Sequence, residues 1–321
     1  MTLSVIMHDS GLSADSFLCN LPLTIEEFET MEEEMKFHPI ISILVPFFCN
    51  VAFGQEGLSE LASVRLSYES LSERAIDGAN AEIGSDQWEI RAPFFYKESG
   101  DWKIAAGVRY QSTRLEVSDA NLIDEDRLHS IDLAIFLSKS QSDSLDWLFL
   151  FNPNLAGDFE NLGGEAMNYL TLAGAKWKTS DRFQWIFGAV YTTGIGDDLF
   201  VPAIGFIWEA SEVSTFVFAG PILRYSYAFS DTITLNLGGQ FTGNRWNTEA
   251  IYGGNLEERN FRFRSYRLSA NLEWSLDEHH SVFAGFGYEI SGELEIESAT
   301  LTSDREVEDG GIFELGYRYG F

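Results

Sequence analysis

Apolar and polar residues alternate along most of this chain, from about residue 62 to its last residue. In residues 102–110 (WKIAAGVRY) every even position is apolar, whereas Lys103 and Arg109 stand at odd positions. Successive side chains of a β-strand point to opposite faces, so this alternation predicts strands with one apolar face and one more polar face. The pattern therefore indicates an all-β fold.

Fourteen runs of this kind are separated by connections of alternating length. Gly220 and Pro221 interrupt one stretch, and the count falls to 12 if its two halves do not both span. An even number follows in either case, because short and long connections alternate. The runs lie at 62–69, 86–97, 102–116, 127–139, 145–155, 165–178, 183–193, 200–209, 214–220, 222–229, 232–244, 259–275, 280–291 and 311–321. The predicted long loops are 70–85, 117–126, 156–164, 245–258 and 292–310.

In seven of these runs two aromatic residues stand eight positions apart. Residues of like parity share one face, so each run has a nine-residue face with an aromatic residue at both ends. Eight steps of about 3.3 Å, tilted by about 40°, cover roughly 20 Å, close to the apolar band of a membrane barrel. We therefore predict a closed antiparallel transmembrane β-barrel with an even number of strands, 12–14. The pairs are Trp88/Tyr96, Trp102/Tyr110, Tyr169/Trp177, Phe183/Tyr191, Phe200/Trp208, Tyr266/Trp274 and Phe313/Phe321.

The composition agrees with a membrane barrel. The chain is 45% hydrophobic, yet its mean hydropathy is only −0.08, as expected where apolar residues alternate with polar ones. Aromatic residues make up 14% of the chain, enough for two aromatic belts. The net charge of −29 argues against nucleic acid as a partner, because nucleic acid selects basic surfaces.

The N-terminal region divides the chain into three parts. Lys36, the apolar residues 39–48 and the small residues Ala52 and Gly54 predict a signal peptide over 35–54. Residues 55–321 are then the barrel domain of an exported protein. Residues 1–34 precede the signal, and we interpret them as a wrongly assigned start or a disordered leader.

The last strand carries a recognisable C-terminal pattern, Gly311–Phe321 (GIFELGYRYGF). It resembles the assembly signal of outer-membrane β-barrel proteins, in which alternate residues are apolar and the final one is Phe. The resemblance implies delivery to the barrel-assembly machinery, insertion into the outer membrane of a Gram-negative-type bacterium, and membership of a barrel family without an assigned function. The residues that carry it are Phe313, Leu315, Tyr317, Tyr319 and Phe321.

Charged residues at the opposite parity are expected to line the lumen. They either border a pore or form a ladder of pairs that rigidifies a narrow barrel, and the sequence leaves both alternatives open. Bulky residues expected to point inward, Phe95, Phe136, Leu148 and Leu150, would favour closure. The lumen candidates are Glu89, Arg91, Lys103, Arg109, Asp132, Arg224, Arg267, Glu273, Glu289 and Arg318.

The sequence contains no nucleotide-binding, thiol or metalloprotease motif, so we predict neither a cofactor nor a catalytic residue, and no metal site is assigned. His129 is the one candidate for chemistry at the outer rim, with Asp126 and Asp132 near it in sequence. A single His among many loop acids is weak evidence for an enzyme. His279 and His280 fall in a short turn, where two solvated side chains are the simpler interpretation.

The remaining signal is the acidity of the predicted outer loops, which include Asp124, Glu125, Asp126 and the pair Asp197–Asp198. The simpler interpretation of these loops is a solvated, self-repelling surface. The functional alternative is contact with lipopolysaccharide phosphates, through bridging divalent cations or directly through Arg259, Arg262 and Arg264. The main hypothesis is a porin-like channel for small polar solutes with a modest cation preference. The alternatives are a closed barrel that binds through its acidic loops and, less favoured, an outer-membrane enzyme. The expected partners are outer-membrane lipid, lipopolysaccharide and the barrel-assembly machinery.

Overall fold

The computed structural model describes residues 63–119, 122–123, 127–160, 166–193, 199–220, 222–252 and 255–321. The predicted leader (1–34), the signal peptide (35–54) and the acidic positions 124–126 and 197–198 lie outside the described residues. In the described part, no helix combines the length and the apolar character needed to cross a membrane.

Fifteen β-strands make up the described part of the chain. They are β1 (Ser63–Ile76), β2 (Ala81–Ser99), β3 (Trp102–Val117), β4 (Arg127–Ser142), β5 (Leu145–Gly157), β6 (Met167–Ser180), β7 (Phe183–Thr192), β8 (Leu199–Ser211), β9 (Ser214–Ala219), β10 (Ile222–Ala228), β11 (Ile233–Tyr252), β12 (Asn255–Ser275), β13 (His280–Ser298), β14 (Thr302–Val307) and β15 (Gly310–Gly320).

The strands form a closed antiparallel ring. From β1 to β13 each strand pairs with the next one in the chain, and β15 pairs with both β13 and β1. The short strand β14 continues the line of β15 along β13, so fifteen strands make a ring of fourteen. The predicted closed antiparallel barrel with an even strand number is confirmed, at the upper of the two counts.

The doubtful stretch around Gly220 forms two short strands. β9 and β10 pair with each other over six residues, from Ala219 opposite Ile222 to Ser214 opposite Tyr227. Gly220 has φ +59, a left-handed conformation that glycine adopts without strain. Both halves therefore belong to the ring, which explains why the count is fourteen and not twelve.

Three of the five predicted long loops are instead extensions of the strands. β1 and β2 leave only residues 77–80 between them, and β11 and β12 leave only 253–254. The third, 292–310, consists of the end of β13 followed by β14. Cross-strand ion pairs stabilise the extension of β12 and β13: Arg262 lies 2.6 Å from Glu295 and Arg264 lies 2.8 Å from Glu293. These pairs support strand pairing together with the alternate residues Phe261, Leu294 and Ile296, which are buried.

The outward face of the ring is apolar and rich in aromatic side chains. Trp102 and Tyr110 are 47% and 37% exposed on this face. One predicted pair is wrong, because a bulge between Pro93 and Phe95 shifts the register of β2. Phe95 stands opposite Ala106 on the outward face, not inward as expected, and Tyr96 lies at the opposite parity from Trp88.

The inward face is not uniformly polar. Apolar side chains of β3–β10 pack into one buried cluster, which we call the side cluster. Ala105, expected to face a polar lumen, is 1% exposed in this cluster together with Phe136, Leu148 and Leu150. The members of the side cluster are Ala105, Ala134, Phe136, Leu148, Leu150, Leu170, Leu172, Ile186, Val190, Ile207, Ala219 and Ile222.

A second buried apolar cluster, which we call the end cluster, lies at one end of the barrel. This is the loop end, where β3 joins β4 and β5 joins β6; the opposite end, with the two-residue connections 100–101 and 143–144, is the turn end. Its members are Ile76, Ala81, Ile83, Leu115, Leu122, Ile123, Leu128, Ala156, Trp246, Phe261, Leu294, Ile296 and Val307.

At the turn end, His279 and His280 hold the C-terminal strand. The His279 Nδ1–H donates to the carbonyl oxygen of Gly320 at 3.1 Å, and the His280 ring is hydrogen-bonded to the Tyr317 hydroxyl. The backbone N–H groups of His279 and His280 donate to Asp277 and hold the pKa of that carboxyl below its usual range. The assembly-signal residues Phe313, Leu315 and Phe321 are exposed on the outward face, while Tyr317 and Tyr319 contact His280.

The two faces of β12 provide a test of the barrel in lipid. Ala270 is exposed outward, midway between Tyr266 and Trp274, whereas its neighbour Ser269 lines the interior. Ala270→Arg is expected to lower the free energy of unfolding by about 2–4 kcal/mol, the cost of arginine at mid-membrane. Ser269→Arg is the matched control and should cost far less. Equal losses in urea titrations of protein folded into vesicles would contradict the face assignment.

Candidate functional site: a polar chamber inside the barrel

The barrel encloses a cavity of about 650 Å³, which we call the polar chamber. Most of its wall comes from inward residues of β1, β2, β3, β11, β12, β13 and β15. On β4–β7 the side cluster fills the interior toward the turn end, and Asp132, Asn152 and Asn168 border the polar chamber nearer the loop end. The opposite strands carry charged and amide side chains inward over most of their length.

Nine of the ten lumen candidates line the polar chamber. Lys103 is the exception: it lies at the turn end, with its ammonium 3.3 Å from Glu98, and it does not border the cavity. The nine are Glu89, Arg91, Arg109, Asp132, Arg224, Arg267, Glu273, Glu289 and Arg318.

Arg267 is the centre of the first ion-pair network. Its guanidinium lies 2.6 Å from Glu69 and 2.7 Å from Glu289. Glu289 also accepts from Arg74 at 3.1 Å, and the side chains of Arg74 and Glu289 are almost fully buried. Two carboxylates thus share two guanidinium groups across β1, β12 and β13, which offsets the cost of burying these charges.

Glu89 and Asp132 anchor a second network on β2–β5. Arg91 lies 2.5 Å from Glu89, and Arg109 lies 2.7 Å from Asp132 and 3.8 Å from Glu89. Asn152 donates its amide N–H to the other oxygen of Asp132 at 3.1 Å. Buried charges that are this fully paired give a rigid wall rather than a mobile lining.

Two further pairs lie nearer the turn end. Arg65 lies 2.6 Å from Glu314 and stacks over the Phe283 ring at 4.3 Å, and Arg318 pairs with Glu273. Arg65, Glu69 and Arg74 of β1 were missed by sequence reasoning. The alternation of Arg65 and Glu69 with Leu66 and Tyr68 was the available signal, whereas Arg74 lies beyond an irregularity between Leu71 and Arg74 that shifts the register.

The polar chamber is nearly neutral. Six carboxylates line it, each in an ion pair with an arginine, and seven arginines line it in all. Its lining also contains nine amide side chains, which donate and accept hydrogen bonds without a net charge. The amides are Gln87, Gln111, Asn152, Asn154, Asn168, Asn236, Gln240, Asn244 and Asn271.

The two ends of the polar chamber differ. Ser63, Arg65 and Arg318 extend its lining to the turn end. At the loop end, Trp246 and Phe261 of the end cluster border it, with exposures of 7% and 1%. The end cluster therefore separates the polar chamber from the loop end.

The β11–β12 hairpin holds the end cluster in place by reaching across the loop end. Asn247 forms a parallel bridge with Gly157, and its carbonyl oxygen accepts from the Asp158 N–H at 3.3 Å. The Asp158 carboxylate accepts from the Glu249 N–H at 2.7 Å. From β12, Arg259 donates to the carbonyl oxygen of Leu122 at 3.0 Å.

These contacts also bear on the expectation of lipopolysaccharide binding. Arg259 is 5% exposed, and Arg262 and Arg264 pair with Glu295 and Glu293. All three arginines thus have partners within the protein.

The candidate for chemistry at the rim does not form a catalytic pair with Asp132. His129 faces outward, where its Nδ1 is 2.9 Å from the Tyr110 hydroxyl, whereas Asp132 faces the polar chamber on the other side of β4. Asp126 is outside the described residues. Within the described ranges, no group of three or more His, Cys, Asp or Glu side chains is arranged to hold a metal ion.

Residues 96–310 match the model of a family described as a domain of unknown function (DUF6268). The chain belongs to this family. The matched part covers most of the barrel, including the strands of the side cluster and the β11–β12 hairpin. No curated protein matches the chain.

Several solved structures are similar to the barrel, all at low identity. An outer membrane channel from Pseudomonas putida F1 is 12% identical, with 81% of this chain and 95% of that one covered and a TM-score of 0.46. The Pseudomonas putida toluene transporter TodX is 10% identical, covers 87% and 95%, and has a TM-score of 0.38. A KdgM porin in complex with disordered oligogalacturonate is 8% identical, covers 81% and 99%, and has a TM-score of 0.35. Likenesses this weak carry no argument about function.

Removal of one charge tests the role of the ion-pair networks. Glu289→Gln leaves Arg74 without its carboxylate and Arg267 with only Glu69, so we expect a loss of about 3–5 kcal/mol of unfolding free energy. Glu98→Gln breaks an exposed pair with Lys103 and is expected to cost about 1 kcal/mol or less. Urea unfolding in vesicles measures both variants. A loss from Glu289→Gln no larger than that from Glu98→Gln would refute the network as a stabilising element.

Proposed function

We propose that this protein is an outer-membrane channel for small polar solutes and that the polar chamber is its solute path. The observation that carries the proposal is a cavity of about 650 Å³ whose charged and amide lining reaches the turn end. Among the described residues, the end cluster separates this cavity from the loop end. Paired charges and many amides suit uncharged or zwitterionic solutes. The proposal includes no catalytic residue and no cofactor.

The end cluster is the gate in this proposal. Buried apolar side chains around a narrow passage exclude water and thereby block ions and polar solutes. Opening requires the β11–β12 hairpin to move away from Gly157, Asp158 and Leu122, which breaks a few hydrogen bonds and separates Trp246 and Phe261 from the rest of the end cluster. The described conformation then corresponds to the closed channel.

Opening the gate by mutation tests the channel. The double substitution Trp246→Ala and Phe261→Ala removes the two aromatic side chains between the polar chamber and the loop end. It should give stepwise conductance in planar bilayers and swelling of vesicles in glucose, well above the level of the unmodified protein. Phe286→Ala, a change at a 70% exposed outward position, is the control and should leave conductance unchanged.

The second candidate is a closed barrel with a structural or binding role. The tight packing of the end cluster and of the buried ion pairs favours it. A double variant that folds, as judged by its migration on unheated gels, but neither conducts nor swells would eliminate the channel and leave this candidate.

A modest cation preference is part of the channel proposal, and we assign it to the mouth. The nearly neutral polar chamber supplies little selectivity, so the preference depends on the outer acids. In the double variant, neutralising Asp124, Glu125 and Asp126 should reduce the cation-to-anion permeability ratio at 0.1 M salt, where screening acts over about 10 Å. At 1 M salt, with screening over about 3 Å, the ratio should change little. A permeability ratio that is unchanged at both salt concentrations would show that these three acids do not cause the cation preference.

A further inference from the structure

The strands of the barrel wall are unusually short at one position, the β9–β10 hairpin. β9 has six residues and β10 has seven, whereas their neighbours β8 and β11 have 13 and 20. At about 3.3 Å per residue and a tilt of about 40°, six or seven residues rise roughly 15–18 Å, less than the apolar band of about 25 Å. The β9–β10 hairpin therefore ends inside the membrane.

Above this hairpin the flanking strands lack a partner on one side. Among the described residues, positions 200–204 of β8 have ladder partners only in β7, and 241–246 of β11 only in β12. Unpaired backbone groups in lipid each cost several kcal/mol, so irregular edges persist at this depth only where they border a cavity or are otherwise satisfied. We call the space above the β9–β10 hairpin, between these two edges, the gap. The unpaired backbone groups at its edges face either lipid or the barrel interior.

The edge of β8 is adapted to having no neighbour. The Gly220 N–H donates to the Ile204 carbonyl oxygen, so even-numbered residues of β8 direct their backbone groups toward the gap. Position 202, which has the same direction, is a proline and presents no N–H there. The edge of β8 therefore has no backbone N–H at position 202 that would need a hydrogen-bond partner.

Part of the β11 edge is satisfied without a strand. The Phe229 N–H donates to the Ile233 carbonyl oxygen, so odd-numbered residues of β11 face this side. The Arg245 N–H donates to the Asn244 side chain at 3.0 Å, and Asn247 and Glu249 bond to Asp158. Among the described residues, positions 245–249 thus have hydrogen-bond partners that do not come from a neighbouring strand.

The polar chamber reaches this gap. Ile222 and Leu223, the first two residues of β10, both border the cavity. Leu223 belongs to the outward face and is 46% exposed, whereas Ile222 is 3% exposed in the side cluster. The cavity therefore approaches the foot of the gap behind the Ile222 side chain.

We propose that this gap is a side window through which an uncharged amphipathic molecule passes between the bilayer and the polar chamber. β8 and β11 are three strand spacings apart, roughly 14 Å between their axes, which admits an alkyl chain or a single ring. Phe200, Ile222 and Leu223 give the window an apolar rim, while the amides within bind a hydroxyl or amide head group. An uncharged molecule suits this route, because taking a charge out of water at an apolar rim is costly. This route goes beyond the proposed channel and does not depend on its gate.

Photolabelling with the window open or bridged tests the proposal. The probe is a heptyl glucoside that carries a diazirine in its alkyl chain. The barrel domain (55–321) contains no cysteine, so Val201→Cys and Thr242→Cys, one on each side of the window, are the only thiols and are joined by a bis-maleimide in the folded protein. Bridging should reduce labelling of Gln240, Asn244 and Asn271 at least fivefold. Labelling of the outward residue Phe286 is the internal control and should not change.

The same cysteine variant treated with a monofunctional maleimide controls for added bulk and should retain most of the chamber labelling. A complementary variant, Phe200→Ala with Leu223→Ala, widens the rim and should increase chamber labelling in protein without cysteines. Chamber labelling that is equal in bridged and unbridged protein, or labelling confined to outward residues, would overturn the window. Glucose swelling by the gate variant is independent of both outcomes, so failure of the window is distinguishable from failure of the channel.

Discussion

The closure of the strand ladder is the constraint on which this structure depends. In lipid every backbone N–H and C=O needs a partner within the protein, and a sheet meets that requirement only if its first and last strands pair. Here β1 pairs with β15 over nine residues, from Ser63 opposite Gly320 to Leu71 opposite Ile312. Because the ring is closed, the parity of each strand decides whether a side chain meets lipid or the interior.

That constraint explains what the sequence could predict. Period-two alternation and the spacing of Trp102 and Tyr110 report on a wall with one lipid face, so the all-β class, the closed ring and the even strand number followed from them. The parity of Glu89, Arg109 and Glu289 placed them inward for the same reason.

The sequence-based predictions were wrong where a bulge changes the parity of a strand, or where the surroundings of an inward side chain depend on other strands. A bulge after Pro93 added one residue to β2 and turned Phe95 outward. Proline within a strand is typical of a bulge, but the sequence does not show which of the residues that follow it is the extra one. Ala105 is inward, as expected, but the sequence of β3 cannot show that Phe136 and Leu148 of other strands converge on it. The extension of β13 around Glu295 was read as part of a loop, although Leu294 and Ile296 continue the alternation there and the ion pair of Glu295 with Arg262 joins it to β12.

The interior is divided between two sides of the ring and, on β4–β7, also by depth, because Asp132, Asn152 and Asn168 border the polar chamber beyond the side cluster. Apolar side chains of β3–β10 pack against one another along one side, and charged pairs occupy the strands on either side of the closure. The apolar side gives the ring rigidity without buried charge. The polar side keeps space open, because paired guanidinium and carboxylate groups hold each other against the wall.

The ion pairs that involve β1 have a consequence for how the ring finds its register. Arg65 with Glu314, Glu69 with Arg267, and Arg74 with Glu289 each join the first strand to strands near the C-terminus. None of them forms until the two ends of the chain meet. A slip of one residue would turn the charges of β1 from the interior to the lipid. The ion pairs of β1 therefore favour the native alignment of the closure over a shifted one, in which ionised side chains would lie in hydrocarbon.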